Sequence, residues 1–247
     1  MTSIALDSST EVCSAALVQD GKVVAERINR AASNHAALLP TYVQELQTEA
    51  RERGITVDSI VLSEGPGSYT GLRIGASLAK GLCYGAGLPL YAVPTLAIMA
   101  YSATEALQEQ GITNLENLTE ATDILICPMI DARRMEVYCA LYDHQIREVQ
   151  TLAAVVVDEQ SFADLLDKHI IYFCGNGAEK CKTVIKHKNA RWIDKIVPTG
   201  AAAGVLVEKM LTTNSLFKIV DGKEIAYFEP NYLKEFVAAQ SHVKGLK

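Results

Sequence analysis

Three glycines stand close together in "SEGPGSYTGLRIG", residues 63–75, and a glycine-rich loop between a strand and a helix can cradle a phosphate. The P-loop form of this cradle needs a lysine for the phosphates and a serine or threonine for magnesium after its last glycine. Leu72 and Arg73 follow Gly71 instead, so that form is excluded. Two hypotheses are left: an anion at the start of the helix, or a structural tight turn with Ser68 or Thr70 as the helix cap.

The helix after this loop carries a row of small residues at four-residue spacing, Gly71, Gly75, Ala79 and Cys83. A glycine inside a helix costs about 1 kcal/mol relative to alanine, so two of them indicate that another backbone comes close. That backbone belongs either to the chain's own sheet or to a helix of another subunit. The spacing alone favours the sheet.

Histidine and cysteine show no metal-binding pattern. The five histidines include no pair three or four residues apart, and no CxxC sequence occurs. Two ligands on one helix face need that spacing. We therefore expect no bound metal, and we expect the six scattered cysteines to be reduced, mostly buried thiols.

The elements that position these residues alternate along the chain. "TSIALDSS", "EVCSAALVQ" and "VVAERINRA" predict three strands in two hairpins, and "SNHAALLPTYVQELQTEARERG" predicts a helix. The strand "VDSIVLSEG", the glycine-rich helix, the strand "LPLYAVP" and the helix "TLAIMAYSATEALQEQG" follow. This order matches one half of the actin-like ATPase (ASKHA, ribonuclease H-like) fold, an α/β fold with two related subdomains whose mixed sheets are flanked by helices.

The rest of the chain predicts a second subdomain of the same kind. "DILICPMIDARRMEVYCALYDHQIREVQ" predicts two strands around a turn, and "HIIYFCGNGAEKCKTVIK" predicts a strand, a turn and a helix. We expect an N-terminal subdomain over residues 1–109, a C-terminal subdomain over 110–230 and a tail over 231–247. The polar segment from Gln110 to Asp123 is the expected connection.

The composition limits the class of protein. Hydrophobic residues make up 49% of the 247 residues, which is enough for a sizeable core, and the formal net charge is −6. Because Lys and Arg drive nucleic-acid binding, the negative net charge excludes a protein that binds RNA over its whole surface. We see neither a signal peptide nor about 18 uninterrupted apolar residues, so we expect a cytoplasmic protein without membrane contact.

Four motifs resemble those of the TsaB (YeaZ) family in residue sequence and in order along the chain: "LDSST", "NHAALLP", "GPGSYTGLRIGASLAKGL" and "IDARRMEVYCALY". The resemblance covers about residues 1–142, and "CGNGA" and "EPNYLKEF" are weaker marks. Members of this family are glycoprotease-like (peptidase M22 homologue) subunits of the bacterial complex that makes threonylcarbamoyladenosine in tRNA. The resemblance implies a noncatalytic subunit that pairs with TsaD, which transfers a threonylcarbamoyl group to adenosine 37 of tRNAs reading codons that start with A.

The resemblance also implies that the ATPase TsaE joins the pair, that tRNA is reached indirectly through the complex, and that the chain alone forms a homodimer. Pairing in the family uses the first two helices, here about residues 34–53 and 70–84. This moves the interpretation of the small-residue row towards a subunit interface. The interface residues expected on this basis are Leu38, Leu39, Tyr42, Val43, Leu46, Gly71, Leu72, Gly75, Ala76, Ala79 and Cys83.

The same resemblance bears on metal binding. TsaD-type subunits hold a metal through two histidines four residues apart on the first helix. Here Leu39 stands four residues after His35, which agrees with the expectation of no metal.

The sequence does not decide between a weakened nucleotide site and no nucleotide site. Actin-like ATPases bring one hairpin with Asp and Gly from each half to the phosphates, and the counterparts here, "LDSSTE" and "IDARRME", lack the glycine. The carboxylates either are vestigial and cap turns, or belong to a weakened site of Asp7, Ser8, Ser9, Asp131, Gly175, Asn176 and Gly177. No cofactor is expected to bind firmly; the resemblance implies ATP or ADP near the subunit boundary of the assembled complex.

Other interpretations stay open beside this one. Arg133, Arg134 and Glu136 form either a solvated hairpin tip or a contact with TsaD, TsaE or a tRNA phosphate. A homodimeric scaffold would use the same two helices. A weak ATP-binding or peptidase-like enzyme is disfavoured, because the serines near Asp7 have no recognisable His/Asp arrangement.

Overall fold

The first half of the chain forms the predicted series of strands and helices. A computed structural model describes residues 1–31, 34–112, 124–211 and 216–233. In order along the chain, the elements are β1 (Thr2–Asp7), β2 (Cys13–Gln19), β3 (Lys22–Asn29), α1 (His35–Glu52), β4 (Ser59–Gly65), α2 (Tyr69–Ala86), β5 (Leu90–Pro94) and α3 (Thr95–Glu109).

The second half repeats the pattern with shorter helices. Its elements are β6 (Ile124–Asp131), β7 (Glu136–Tyr142), β8 (Glu148–Val156), α4 (Ala163–Leu166), β9 (Ile170–Cys174), α5 (Ala178–Cys181), β10 (Ala190–Ile193), α6 (Gly200–Met210), β11 (Lys218–Val220) and a 3-10 helix (Gly222–Tyr227). Most of the predicted connection, residues 113–123, lies outside the described residues.

The two sheets share one topology. The first has the strand order β11-β5-β4-β1-β2-β3, and the second has the order β10-β9-β6-β7-β8. In each sheet the central strand pairs antiparallel with the next strand of its hairpin and parallel with a strand that follows a helix: β1 with β2 and β4, β6 with β7 and β9. This repetition confirms the actin-like α/β fold with two related halves.

The subdomain boundary differs from the predicted one. Residues 200–230 were expected in the C-terminal subdomain, but α6 packs on β1 and β2 of the first sheet and β11 extends that sheet beside β5. The cause is the small-residue surface of α6: a Cβ on Gly200 would overlap the Ala5 carbonyl, and one on Gly204 would lie 2.7 Å from Val18 Cγ2. The helix therefore fits closely against the first sheet.

The helices α3 and α6 lie between the two sheets and join them. Buried side chains of both helices form one core cluster with residues of β1 and β6, such as Leu96, Leu206, Ala5 and Ile126. The first sheet has a second cluster beneath α1 and α2. These helices therefore lie on the face of the first sheet that is turned away from the second sheet.

The caps of α2 follow the sequence signals. Ser68 accepts a hydrogen bond from the Gly71 amide, and Gly87 ends the helix with a φ of +67°. All six cysteines are free and buried, as expected. Among the helices of the described residues, none combines the length and apolar character needed to span a membrane.

Candidate functional site

The small-residue row of α2 packs against the chain's own first hairpin. A Cβ on Gly71 would overlap the Ser8 carbonyl oxygen, and a Cβ on Gly75 would lie 2.5 Å from Ser8 Oγ. Ser8 Oγ donates a hydrogen bond of 2.9 Å to the Gly71 carbonyl, and the Ser68 amide donates one of 2.6 Å to the Ser9 carbonyl. The glycines thus allow the start of α2 to lie directly on the turn between β1 and β2.

This packing bears on the predicted partner interface, which stays a prediction. Most of the predicted side chains are buried inside the chain: Leu39, Val43, Leu46, Gly71, Leu72, Gly75, Ala76, Ala79 and Cys83. They face β1, β2 and β4, because an amphipathic helix buries its apolar stripe on the adjacent sheet. Leu38 and Tyr42 remain half-buried. The buried residues therefore do not form a surface that a partner could reach.

A second row of small residues runs along the opposite side of α2. Ser77, Gly81 and Gly85 also stand four residues apart, and all three are exposed. A Cβ on Gly81 or Gly85 would meet no described atom within 4 Å outside its own helix neighbourhood. The Tyr84 side chain, which stands beside this row, is 79% exposed.

We call the surface around this row the outer face of α1 and α2. It consists of Ala36, Pro40, Arg73, Ile74, Ser77, Leu78, Gly81, Leu82, Tyr84 and Gly85. A groove of about 590 Å³ lies between the two helices, with Pro40 on one wall and Ile74 and Leu78 on the other. The sequence contained a signal for this surface, since its small residues have the same spacing as the buried row.

A cleft of about 990 Å³ separates the two halves of the chain. Its lining includes Ser9, Asp131 and Asn176 from the residues predicted for a nucleotide. The Asn176 side-chain amide donates a hydrogen bond of 3.1 Å to Glu11, which joins the halves across the cleft. The cleft therefore brings one residue of the first predicted hairpin together with two from the second half.

Asp7 and Ser8, by contrast, point away from the cleft. Asp7 is fully buried, and its Oδ2 accepts a hydrogen bond of 2.9 Å from Ser9 Oγ. A Cβ on Gly67 would overlap the Ser9 carbonyl, so the loop before α2 fills the space against this turn. Asp7 and Ser8 therefore do not line the cleft, and a nucleotide contact by them stays a prediction.

The second hairpin is held by its own contacts. Lys180 Nζ makes an ion pair with Asp131, and the Asp131 amide donates a hydrogen bond of 3.0 Å to Asn176 Oδ1. Partial burial opposes ionisation of Asp131, but the bonds from Lys180 and the Arg133 amide outweigh it and lower the Asp131 pKa. Gly175 and Gly177 press against the backbone of β6 near Met129 and Ile130, so their role here is packing.

The Asp7 carboxyl is an unusual group for a protein core. Its Oδ1 has no hydrogen-bond partner among the described residues, and burial raises its pKa from 3.8 to about 6. Desolvation penalises the charged form, and the opposing hydrogen bonds from Ser63 and Ser9 do not offset that penalty. Asp7 is therefore a titratable group inside the first half.

Replacing Asp7 by asparagine should remove a pH dependence of folding stability. Because the folded pKa is raised, protonated Asp7 favours the folded state; this contribution is complete below about pH 4 and is lost as the pH rises through about 6. Over the whole titration, from well below pH 4 to well above pH 6, the free energy of unfolding of the wild type should fall by about 3 kcal/mol relative to Asp7→Asn. Urea denaturation across this range measures the difference, with Asp164→Asn as an exposed control. Parallel curves for wild type and Asp7→Asn would contradict the raised pKa.

His35 lies at the start of α1 and lines the cleft. Its Nε2 is 2.9 Å from the Thr10 carbonyl oxygen, and Leu39 one turn later is fully buried in the core. Within residues 1–31, 34–112, 124–211 and 216–233, no group of three or more His, Cys, Asp or Glu side chains is arranged to hold a metal ion. The absence of a metal stays a prediction.

The turn between β6 and β7 carries two adjacent arginines in an uncommon backbone conformation. Arg133 has a φ of +74° and Arg134 a φ of +51°, and both are exposed. Residues other than glycine, asparagine and aspartate seldom adopt positive φ, and such positions concentrate at functional sites. The hairpin tip predicted from "DARRMEVY" is thus confirmed as a tip.

Comparison with known proteins agrees with the motifs. A family model described as "TsaD: tRNA N6-adenosine threonylcarbamoyltransferase" matches residues 22–240. The chain is 33% identical over 145 residues to the "tRNA threonylcarbamoyladenosine biosynthesis protein TsaB" of Bacillus subtilis, which covers 59% of this chain and 56% of that protein. It is 35% identical over 142 residues to the Escherichia coli protein of the same name, which covers 58% and 55%. The matched part thus spans about half the length of these curated relatives.

A solved structure is similar over nearly the whole chain. "YeaZ from Pseudomonas aeruginosa" superposes with a TM-score of 0.72 at 26% identity, and the match covers 94% of this chain and 99% of that one. The repeated sheet topology, the motif order and the extent of the family match all agree. The chain therefore belongs to the family described as TsaD, tRNA N6-adenosine threonylcarbamoyltransferase, as a member of its TsaB/YeaZ group.

Proposed function

We propose that this chain takes part in forming threonylcarbamoyladenosine in tRNA as a noncatalytic subunit that pairs with a TsaD-type transferase. The curated relatives with this function in their names support the process, and the family match supports the pairing of related chains. The observation that carries the proposal is the outer face of α1 and α2. There, two helix glycines and an exposed tyrosine have no partner among residues 1–31, 34–112, 124–211 and 216–233 to account for them.

The physical argument concerns Gly81 first. A glycine within a helix costs about 1 kcal/mol, and nothing in the described chain occupies the space beside it. A helix of another subunit that packs against Ser77, Gly81 and Gly85 would use that space, because small residues let two backbones approach closely. Tyr84 would then be buried as an aromatic anchor, the residue type enriched at the centres of interfaces.

The accessory role, rather than catalysis, is supported by the first turn and first helix. Leu39 occupies the place at which TsaD-type chains carry the second metal-binding histidine. Ser8 and Ser9 are buried and use their hydroxyls in hydrogen bonds to Gly71 and Asp7, so neither is available as a nucleophile. In the proposed complex, ATP or ADP and the ATPase TsaE would act at the boundary between subunits, and the complex would supply the tRNA contacts.

A second copy of this chain could use the same face, which keeps the homodimeric scaffold as an alternative. The two proposals differ in what happens when both partners are present. We expect the TsaD-type chain to displace the second copy, since the modification requires the mixed pair. Mass measurement of an equimolar mixture would show a heterodimer; persistent homodimers beside free TsaD-type chain would favour the scaffold.

The decisive experiment is threonylcarbamoyl transfer to tRNA in a reconstituted mixture of TsaC, TsaD and TsaE. We expect modification when this chain is present and little when it is omitted. The chain alone should neither modify tRNA nor hydrolyse ATP at an appreciable rate. Equal modification with and without the chain would refute the accessory role.

A further inference from the structure

Two adjacent arginines, Arg133 and Arg134, stand at the rim of the cleft. The guanidinium groups of Arg133 and Arg134 are exposed, and neither makes a hydrogen bond or ion pair with any residue that the structure describes. The nearest carboxylate in sequence, Asp131, is engaged by Lys180. Two positive charges are therefore available beside the cleft, in a chain whose formal net charge is −6.

The backbone of this turn would favour other residues. At φ values of +74° and +51°, asparagine or glycine would fit with less strain than arginine. Strained positions persist where a particular side chain is required. The conformation thus supports a role for the two guanidinium groups, although it does not identify their ligand.

The opposite side of the rim is an aromatic platform. The rings of Tyr69 and Tyr232 have centroids 4.9 Å apart, and Arg73 Cζ lies 4.7 Å from the centroid of the Tyr69 ring. Both tyrosines line the cleft together with Arg133. Arg73 is exposed on the groove side of Tyr69. Two tyrosine rings and the exposed arginines of the β6–β7 turn therefore border one open cleft.

This combination fits the two parts of a single-stranded nucleotide segment. Bases of RNA loops stack on tyrosine rings and on arginine planes, while the phosphates are bound by arginine. An acidic peptide could form ion pairs with the arginines, but its carboxylates would make no ring contact with the tyrosines. A duplex would need a longer basic surface than an acidic chain provides.

We propose that the rim formed by Tyr69, Arg73, Arg133, Arg134 and Tyr232 binds a single-stranded RNA loop. The inference deepens the proposed function and rests on it for the identity of the RNA, an anticodon loop that contains the adenosine to be modified. Arg133 and Arg134 bind loop phosphates, and a base packs against the exposed edge of the Tyr69–Tyr232 ring pair. The chain thereby helps to position the RNA while its partner performs the chemistry.

The test measures binding of a fluorescent anticodon stem-loop RNA to the full chain by anisotropy at several salt concentrations. The double variant Arg133→Asn/Arg134→Asn should bind at least about tenfold more weakly at low salt. Its slope of log K against log salt should be shallower by about 1.4, since each phosphate contact on a single strand contributes about 0.7. Asparagine tolerates positive φ, so the variant should melt no lower than the wild type.

A matched control removes two cations elsewhere. Lys168 and Lys195 are exposed and do not line the cleft, and Lys195 also has a positive φ, of +65°. The variant Lys168→Asn/Lys195→Asn should leave the affinity within about twofold of the wild type. For stacking, Tyr69→Leu should weaken binding about tenfold, whereas Tyr69→Phe should retain it. A duplex RNA of the same length should bind more weakly than the loop.

Different results would overturn the RNA site and the proposed function. Equal RNA affinity of the wild type and the arginine variant would overturn the rim as an RNA site. If the arginine variant keeps RNA binding but loses pairing with the TsaD-type chain, the rim is a protein contact and the proposal is overturned. The proposed function has a separate readout: if it fails, tRNA is modified without this chain even though the rim binds RNA.

Discussion

Replacing Gly71 by alanine should lower the free energy of unfolding by about 3 kcal/mol, at the upper end of the cost of overpacking a core. The added Cβ would overlap the Ser8 carbonyl oxygen, which is backbone and cannot rotate away. The start of α2 would have to move off the β1–β2 turn. That movement would also break the hydrogen bond from Ser8 Oγ to the Gly71 carbonyl. Urea denaturation of the purified chain measures the loss.

Gly81→Ala on the same helix is the matched control. It makes the same chemical change where no described atom lies within 4 Å, so only the difference in helix propensity remains. We expect stability to rise by up to about 1 kcal/mol. Similar losses for both variants would show that glycine at these positions is needed for something other than the packing on Ser8.

Placing arginine at Ser77 should weaken pairing with the TsaD-type chain by about tenfold to a hundredfold without lowering the melting temperature. Ser77 is exposed on α2, and arginine is a better helix former than serine, so the free chain is not harmed. In the complex, the long side chain would stand where a partner helix lies close, and overpacking costs about 1 to 3 kcal/mol. Titration calorimetry of the two purified chains gives the affinity.

Two further variants make this result specific. Tyr84→Ala removes the exposed aromatic ring and should also reduce pairing while leaving the melting temperature unchanged. Glu109→Arg puts the same long side chain on the exposed end of α3 and should not affect pairing. Full affinity of both Ser77→Arg and Tyr84→Ala would place the partner elsewhere.

Leucine at Gly75 or Ala79 is a different experiment from the one that the sequence suggested. The family resemblance places Gly75 and Ala79 at the subunit interface, where added bulk would be expected to weaken pairing more than folding. Both positions are buried against the chain's own hairpin and sheet, so the principal effect should now be a lower melting temperature. The structure thereby moves the test of pairing to the other side of the same helix.

Much of the fold could be predicted from local signals. Alternating apolar residues predicted β1 to β3, and Ser68 and Gly87 mark the ends of α2. The repeat of strand, hairpin and helix predicted two related halves, which the sheet orders confirm. Local signals did not indicate that α6 packs on the first sheet, because those contacts join segments far apart in sequence. No local pattern records which sheet a helix will cover.

The sequence also predicted some residues of the candidate sites and missed others. Asp131 and Asn176 were predicted together and do line one cleft. Asp7 was expected beside them, but the turn that carries it is covered by the loop before α2, a contact between segments about 60 residues apart. The contact between Tyr69 and Tyr232 was not predicted, since a contact between two rings far apart in sequence leaves no periodic signal.

The sequence by itself determined that α2 carries small residues at four-residue spacing and that another backbone must come close to them. It contained two such rows, Gly71, Gly75, Ala79 and Cys83 in one and Ser77, Gly81 and Gly85 in the other. Positions two residues apart lie about 200° apart around a helix, so the rows face nearly opposite directions. Helical spacing shows which residues share a face; only the sheet beneath α2, assembled from distant strands, decided which row is buried and which is exposed.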